Sequence, residues 1–234
     1  MEFVYLLILH IFGDFIFQSD KTAVKKNESR KYFIIHSLLY ALPFLTIIIV
    51  SDSFLISIIA FLIITLTHAI VDLIRIKISE KFEKINKVVS FIIDQLIHII
   101  IIYSMSLMIC FNQVFIKYVE YKNLYIIMVY ILVYLVCTTP AAIFIKNIFL
   151  QMEFQKDSDE LVKSGYYIGI LERVIILTLG LMGEIGAIGF VIAAKSIARF
   201  KQLEDKRFAE KYLFGTLLST LISLACVGYV KLFL

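Results

Sequence analysis

The chain has four histidines, His10, His36, His68 and His98, and each sits within a strongly apolar run. Three have an aspartate one helical turn away: His10 with Asp14, His68 with Asp72, and His98 with Asp94. An ionisable group inside hydrocarbon costs about 2.5–3.5 kcal/mol on insertion scales, so such residues normally face a partner or a wet cavity. On a helix, positions i and i+4 share a face, so each pair can aim two ligand-type groups at one point. Imidazole and carboxylate suit Zn, Mn, Fe or Ni, and no thiolate is placed to join them. The cofactor these residues predict is a divalent metal, Zn first, with Mn or Fe as alternatives.

The candidate metal ligands are His10, Asp14, His36, His68, Asp72, Asp94 and His98. A catalytic zinc usually keeps three protein ligands and an open position for water, whose pKa it lowers to about 7. The set therefore exceeds the needs of one ion. Some members would orient the imidazoles, or two ions would sit side by side, and one of the carboxylates Asp14, Asp72 or Asp94 could act as the general base. Gln18 and Gln95 are close enough in sequence to orient water or substrate. A structural alternative makes these residues glue between helices, but such glue is usually Ser, Thr or Asn.

Composition sets what must position them. The chain is 61% hydrophobic with 2 prolines and a mean hydropathy of +0.92, which is membrane rather than globular composition. Tryptophan is absent, so any aromatic belt rests on the 13 tyrosines. Cys110, Cys137 and Cys226 are isolated in apolar segments and read as core packing with no disulfide. The start lacks a basic n-region and a small-residue cleavage site, which predicts a retained span rather than a signal peptide. A span needs about 20 apolar residues. Eight segments qualify: 2–18, 32–50, 53–76, 88–111, 123–148, 165–183, 184–200 and 212–232. The expected fold is thus an all-α polytopic membrane protein with about eight transmembrane helices. A His/Asp half spans 1–112 and a second four-helix half spans 113–234, the two integrated in one membrane domain.

Loop charge predicts orientation. The loops after the first, third, fifth and seventh spans carry 18 lysines and arginines against 3 on the other side. That places these loops in the cytoplasm and both termini outside. At 1.5 Å per residue, all seven His/Asp residues then fall roughly 6–15 Å from the cytoplasmic boundary. His10 to His36 and His68 to Asp94 are both 26 residues apart, and both hairpins open with H-x-x-x-D, as an internal duplication would.

The second half adds Glu172, Arg173, Lys195 and Arg199 at the same level. Arginine and lysine beside a metal are what a phosphate-bearing substrate needs. Lys195 and Arg199 could equally snorkel to the interface, and Glu172 could serve only to neutralise Arg173. Glycines 165, 169, 180, 183, 186 and 189 give small faces for close packing. Nucleotide-binding glycine loops, the G-x-S-x-G elbow and H-E-x-x-H are absent, and the net charge of +4 carries no nucleic-acid signal.

The stretches H-I-F-G-D-F-I-F-Q-S-D-K (10–21), H-A-I-V-D (68–72) with Lys77, and D-Q-L-I-H (94–98) resemble the bacterial inner-membrane domain-of-unknown-function family 3307. So do G-Y-Y-I-G-I-L-E-R (165–173), G-F-V-I-A-A-K-S-I-A-R-F (189–200) and G-T-L-L-S (215–219). The resemblance covers nearly the whole chain and imports little chemistry. In residue types alone, the chain is also similar to membrane-bound metal-dependent hydrolases. The expected function is a membrane-embedded hydrolase or transferase. It would work from the cytoplasmic side on a phosphate-bearing lipid or small anionic substrate, with Arg173, Lys195, Arg199, Glu172, Gln18 and Gln95 contacting it. The rivals are a metal-ion or proton-coupled transporter using the same cluster, and a non-catalytic sensor or scaffold with a structural metal. Oligomeric state is not legible.

Overall fold

The computed structural model describes residues 1–82, 86–112, 121–152 and 159–234; the loop charges Lys84, Lys117 and Lys156 lie outside them. The described residues are mostly helical, joined by turns and short connections, and they contain no strand beyond one isolated bridge between Ser51 and Phe111. Helix α1 (Glu2–Ile11) continues into a wider π-turn (Phe12–Ile16), and α2 (Asp20–Lys25) is short. Then come α3 (Arg30–Phe44), the one-turn α4 (Ile47–Val50), α5 (Phe54–Lys81) and α6 (Lys87–Ser106). They are followed by α7 (Tyr121–Val136), α8 (Thr139–Gln151), α9 (Asp159–Met182) and α10 (Ile185–Ala198), then a 3₁₀ turn (Phe200–Glu204) and α11 (Lys206–Phe233). Several starts are capped by the residues suited to it. Ser19, Ser53, Asn86 and Asp205 each accept a backbone N–H from the first turn that follows.

Among the described residues, six helical segments are long and apolar enough to cross a membrane: Arg30–Val50, Phe54–Lys81, Lys87–Ser106, Lys122–Gln151, Ser164–Met182 and Lys206–Phe233. This is a multi-pass, membrane-type helical protein. The two other expected spans, 2–18 and 184–200, correspond to the shorter α1 with its π-turn and to α10. The connection 201–211 between the last two expected spans is the 3₁₀ turn and the start of α11, and most of it is exposed.

The chain divides into two compact units, Met1–Leu132 and Val133–Leu234. In the first, α1, α3, α5 and α6 each bury residues four apart along one face. The stripes are Leu6 and His10 on α1, His36, Tyr40 and Phe44 on α3, Ala60, Ile64, His68 and Asp72 on α5, and Asp94, His98 and Ile102 on α6. Every stripe runs from an apolar end to an ionisable end. The apolar ends pack together as Leu6, Leu9, Tyr40, Phe44, Ile47, Ala60, Ile64, Ile102 and Ile109. The other faces expose Leu38, Leu66, Ile70, Leu96 and Ile100, which suits hydrocarbon and not water. In the second unit, Cys137 and Cys226 are buried with their sulfurs 3.8 Å apart, whereas Cys110 of the first unit is exposed rather than packed in a core. Gly180 allows Val227 to approach, and Gly183 turns the chain with φ 83°. A Cβ at Gly165, Gly186 or Gly189 would meet nothing within 4 Å among the described residues, so these three do not serve close packing there.

Candidate metal centre

The ionisable ends of the four stripes meet inside Met1–Leu132. The rings of His68 and His98 have centroids 4.4 Å apart, those of His36 and His68 5.4 Å, and those of His10 and His98 5.5 Å. Asp14 joins from the π-turn, closed by Phe17 N–H on Phe12 O at 2.8 Å. Such turns recur at functional sites. Gly13 is what lets this turn seat on α3, because a Cβ there would lie 2.8 Å from the Tyr40 carbonyl oxygen. Gly13→Ala is therefore expected to cost about 1–3 kcal/mol through overpacking. Thermal unfolding in detergent checks it, and an unchanged midpoint would contradict the close approach.

Six of the seven expected ligands form two groups, Asp14–His36–His68 and Asp72–Asp94–His98, each with its ligand atoms within 4.8 Å of one another. Asp72 joins the groups, since its Oδ2 lies 3.1 Å from His36 Nε2. Around that one nitrogen also stand Lys26 Nζ at 3.0 Å, His68 Nε2 at 3.2 Å and Asp14 Oδ1 at 3.5 Å. A ring nitrogen holds one proton or one lone pair and can satisfy a single neighbour. In the second group, Asp94 Oδ1 and His98 Nε2 are buried, 3.7 Å apart, and make no hydrogen bond. A metal with bonds of about 2.0–2.2 Å can bridge two ligand atoms at that separation. The donor set thus fits a divalent cation.

His10 has a different position. Its Nδ1 bonds Tyr40 OH at 3.1 Å and its Nε2 bonds Gln95 Oε1 at 3.2 Å, and it belongs to neither ligand group. Gln95 turns its amide N–H groups to Asp14 Oδ2 and Asp94 Oδ2, each at 3.2 Å. It braces His10 and two carboxylates at once. Gln18 is half-buried with an Oε1 that makes no hydrogen bond. His36 and His68 also leave Nδ1 without a partner, so the His68 ring is held chiefly by Tyr40, stacked on it at 3.5 Å and 4°.

Two cations escaped the reading of the sequence, where they counted as loop charges. Lys26 is 6% exposed and donates to Asp72 Oδ2 at 2.8 Å. Arg75 bridges Asp72 Oδ1 at 3.4 Å and Asp94 Oδ2 at 3.6 Å, with its side chain 30% exposed at the rim. Arg75 carried a faint signal, lying one turn beyond Asp72 on the same helix. Without them the basic count in the expected cytoplasmic loops falls from 18 to 16 against 3, and its sign stands.

The other predicted substrate contacts belong to Val133–Leu234. Arg173 is buried and donates from Nε to the Cys137 carbonyl at 2.7 Å, from Nη2 to the Thr138 carbonyl at 3.2 Å and from Nη1 to Ser219 Oγ at 3.5 Å. These carbonyls lie where α7 gives way to α8, and helix ends need such donors. Lys195 Nζ donates to Glu172 Oε2 at 2.5 Å and to Thr216 Oγ1 at 3.1 Å. Arg199, at the end of α10, donates to Gln202.

Comparison with curated proteins and with solved structures gives no match. A family match covers residues 3–128, more than half of the chain, and takes in every His and Asp of the centre. The stretches at 165–173, 189–200 and 215–219 lie beyond it. The chain therefore belongs to the family described as "Protein of unknown function (DUF3307)".

Proposed function

We propose that the His/Asp centre holds a divalent metal that activates water, and that the protein hydrolyses or transfers a phosphate-bearing lipid or a small anionic substrate. The observation that carries the metal is the pair of buried, unpartnered atoms Asp94 Oδ1 and His98 Nε2 facing one another beside two ligand groups that adjoin at Asp72. Two features favour an enzyme over a transporter. The apolar ends of the four stripes pack together as one cluster, so among the described residues of these stripes the ionisable groups stay at one end. Arg75 sits partly exposed at the rim, where a guanidinium can grip an anionic oxygen. The proposed place is a bacterial cytoplasmic membrane with the basic loops inside and both termini outside, so that the centre opens to the cytoplasm.

Metal content by mass spectrometry and turnover on phospholipid and polyprenyl-phosphate substrates test this on the purified full chain. Arg75→Ala is expected to keep its metal and to lose about 10- to 100-fold in kcat/KM, since a charged hydrogen bond contributes about 1.5–3 kcal/mol. Metal with no turnover on any phosphate-bearing substrate would favour the sensor or scaffold reading. A chain that takes up no divalent ion at all would end the proposal.

A further inference from the structure

The two ligand groups differ in what stands among them. Beside Asp14, His36 and His68 sits an ammonium: Lys26 Nζ lies 3.0 Å from His36 Nε2 and 2.8 Å from Asp72 Oδ2. It comes from the end of α2, which Ser19 caps and the buried Thr22 anchors. In the Asp72–Asp94–His98 group the facing atoms, Asp94 Oδ1 and His98 Nε2, have no hydrogen-bonding partner and are buried in residues 4% and 2% exposed. Arg75 takes Asp72 Oδ1 and Asp94 Oδ2, leaving Asp94 Oδ1 directed at His98.

Resting on the metal reading above, we propose that the centre takes one divalent ion, held by Asp72, Asp94 and His98. The Lys26 ammonium stands in for a second ion at Asp14, His36 and His68. Occupancy supports the division. Lys26 Nζ already stands 3.0 Å from His36 Nε2 and 2.8 Å from Asp72 Oδ2, and a second cation placed beside it would meet an uncompensated like charge inside the protein, which is strongly unfavourable. An ammonium also satisfies lone pairs crowded around His36 Nε2, offering three N–H donors where the ring offers at most one. The arrangement makes Lys26 a positioning residue: it fixes His36 and Asp72 as a second metal would.

The test counts Zn and Mn atoms per chain by mass spectrometry on the detergent-purified full chain after dialysis against each ion. Wild type is expected to bind one ion, Lys26→Met two, His36→Ala one, and His98→Ala none, with circular dichroism confirming the helical fold of each. Two ions in wild type would overturn the proposal, as would a folded Lys26→Met that still binds one. Loss of the ion in His36→Ala, or its retention in His98→Ala, would also overturn it, and these histidine variants decide which group holds the ion even if Lys26→Met does not fold. No ion in wild type would instead refute the metal reading on which the proposal rests.

Discussion

Asp72→Ala is expected to abolish the proposed metal binding and to cost about 3–5 kcal/mol of stability, because it breaks a buried ion pair and leaves the partner charge behind. The carboxylate is 2% exposed and serves three side chains: Lys26 at 2.8 Å, His36 at 3.1 Å and Arg75 at 3.4 Å. Arg75 reaches the surface and can find water. Lys26, 6% exposed, cannot, so its ammonium becomes the main source of the loss. Asp72→Asn separates the two effects. The amide keeps the volume and can still accept from Lys26, so part of the stability should return. It is a poor metal ligand, so the metal should not. Thermal midpoints and metal content of both variants check this. An Asp72→Ala protein with a wild-type midpoint would mean that Lys26 is not bound as described, and would remove the ground for its standing in for a second ion.

The centre was legible from sequence to the extent that helical periodicity sufficed. Ile64, His68 and Asp72, or Asp94, His98 and Ile102, are four apart, so one face must carry them all. Within strongly apolar helices, the ionisable residues mark which face turns inward. What periodicity could not reveal was set by the short elements between the long ones. Lys26 enters the centre because the short α2 with its caps, Ser19–Lys26, packs against α3, which no long-range pattern in the sequence encodes. Arg75 lies on α5 itself, but a loop-charge count treats every cation near a span end alike. His10 and His98 look equivalent as residues of an apolar run. They differ in Gln95 and Tyr40, which take both nitrogens of His10 and leave His98 Nε2 without a partner. The span count shows the same limit. Hydropathy marks apolar segments, while the length of each helix depends on where caps and turns such as the Gly183 turn fall.

Arg173→Met is expected to destabilise the protein by about 3–5 kcal/mol, since the two short bonds from its guanidinium to backbone carbonyls are charge-assisted and contribute about 1.5–3 kcal/mol each. Arg173 is 2% exposed, and its Nε and Nη2 hold the Cys137 and Thr138 carbonyls between α7 and α8. Thr138 O keeps a second donor in the Ala142 N–H at 3.1 Å, so the larger loss falls on Cys137 O. Around the same arginine, Ser223 donates to the Arg173 carbonyl at 3.1 Å, tying α11 to α9. Arg173→Lys should recover little, because a single ammonium cannot span acceptors arranged for a planar fork. Metal content should be unchanged in both variants, since every ligand of the centre lies in Met1–Leu132. The sequence alone read this arginine as a grip for an anionic substrate, and kinetics separate the two roles. A grip would raise KM at an unchanged unfolding midpoint, whereas a brace for the helix break would lower the midpoint first. An Arg173→Met protein with full stability and weakened substrate binding would return the residue to the substrate, and would require another donor for the Cys137 carbonyl.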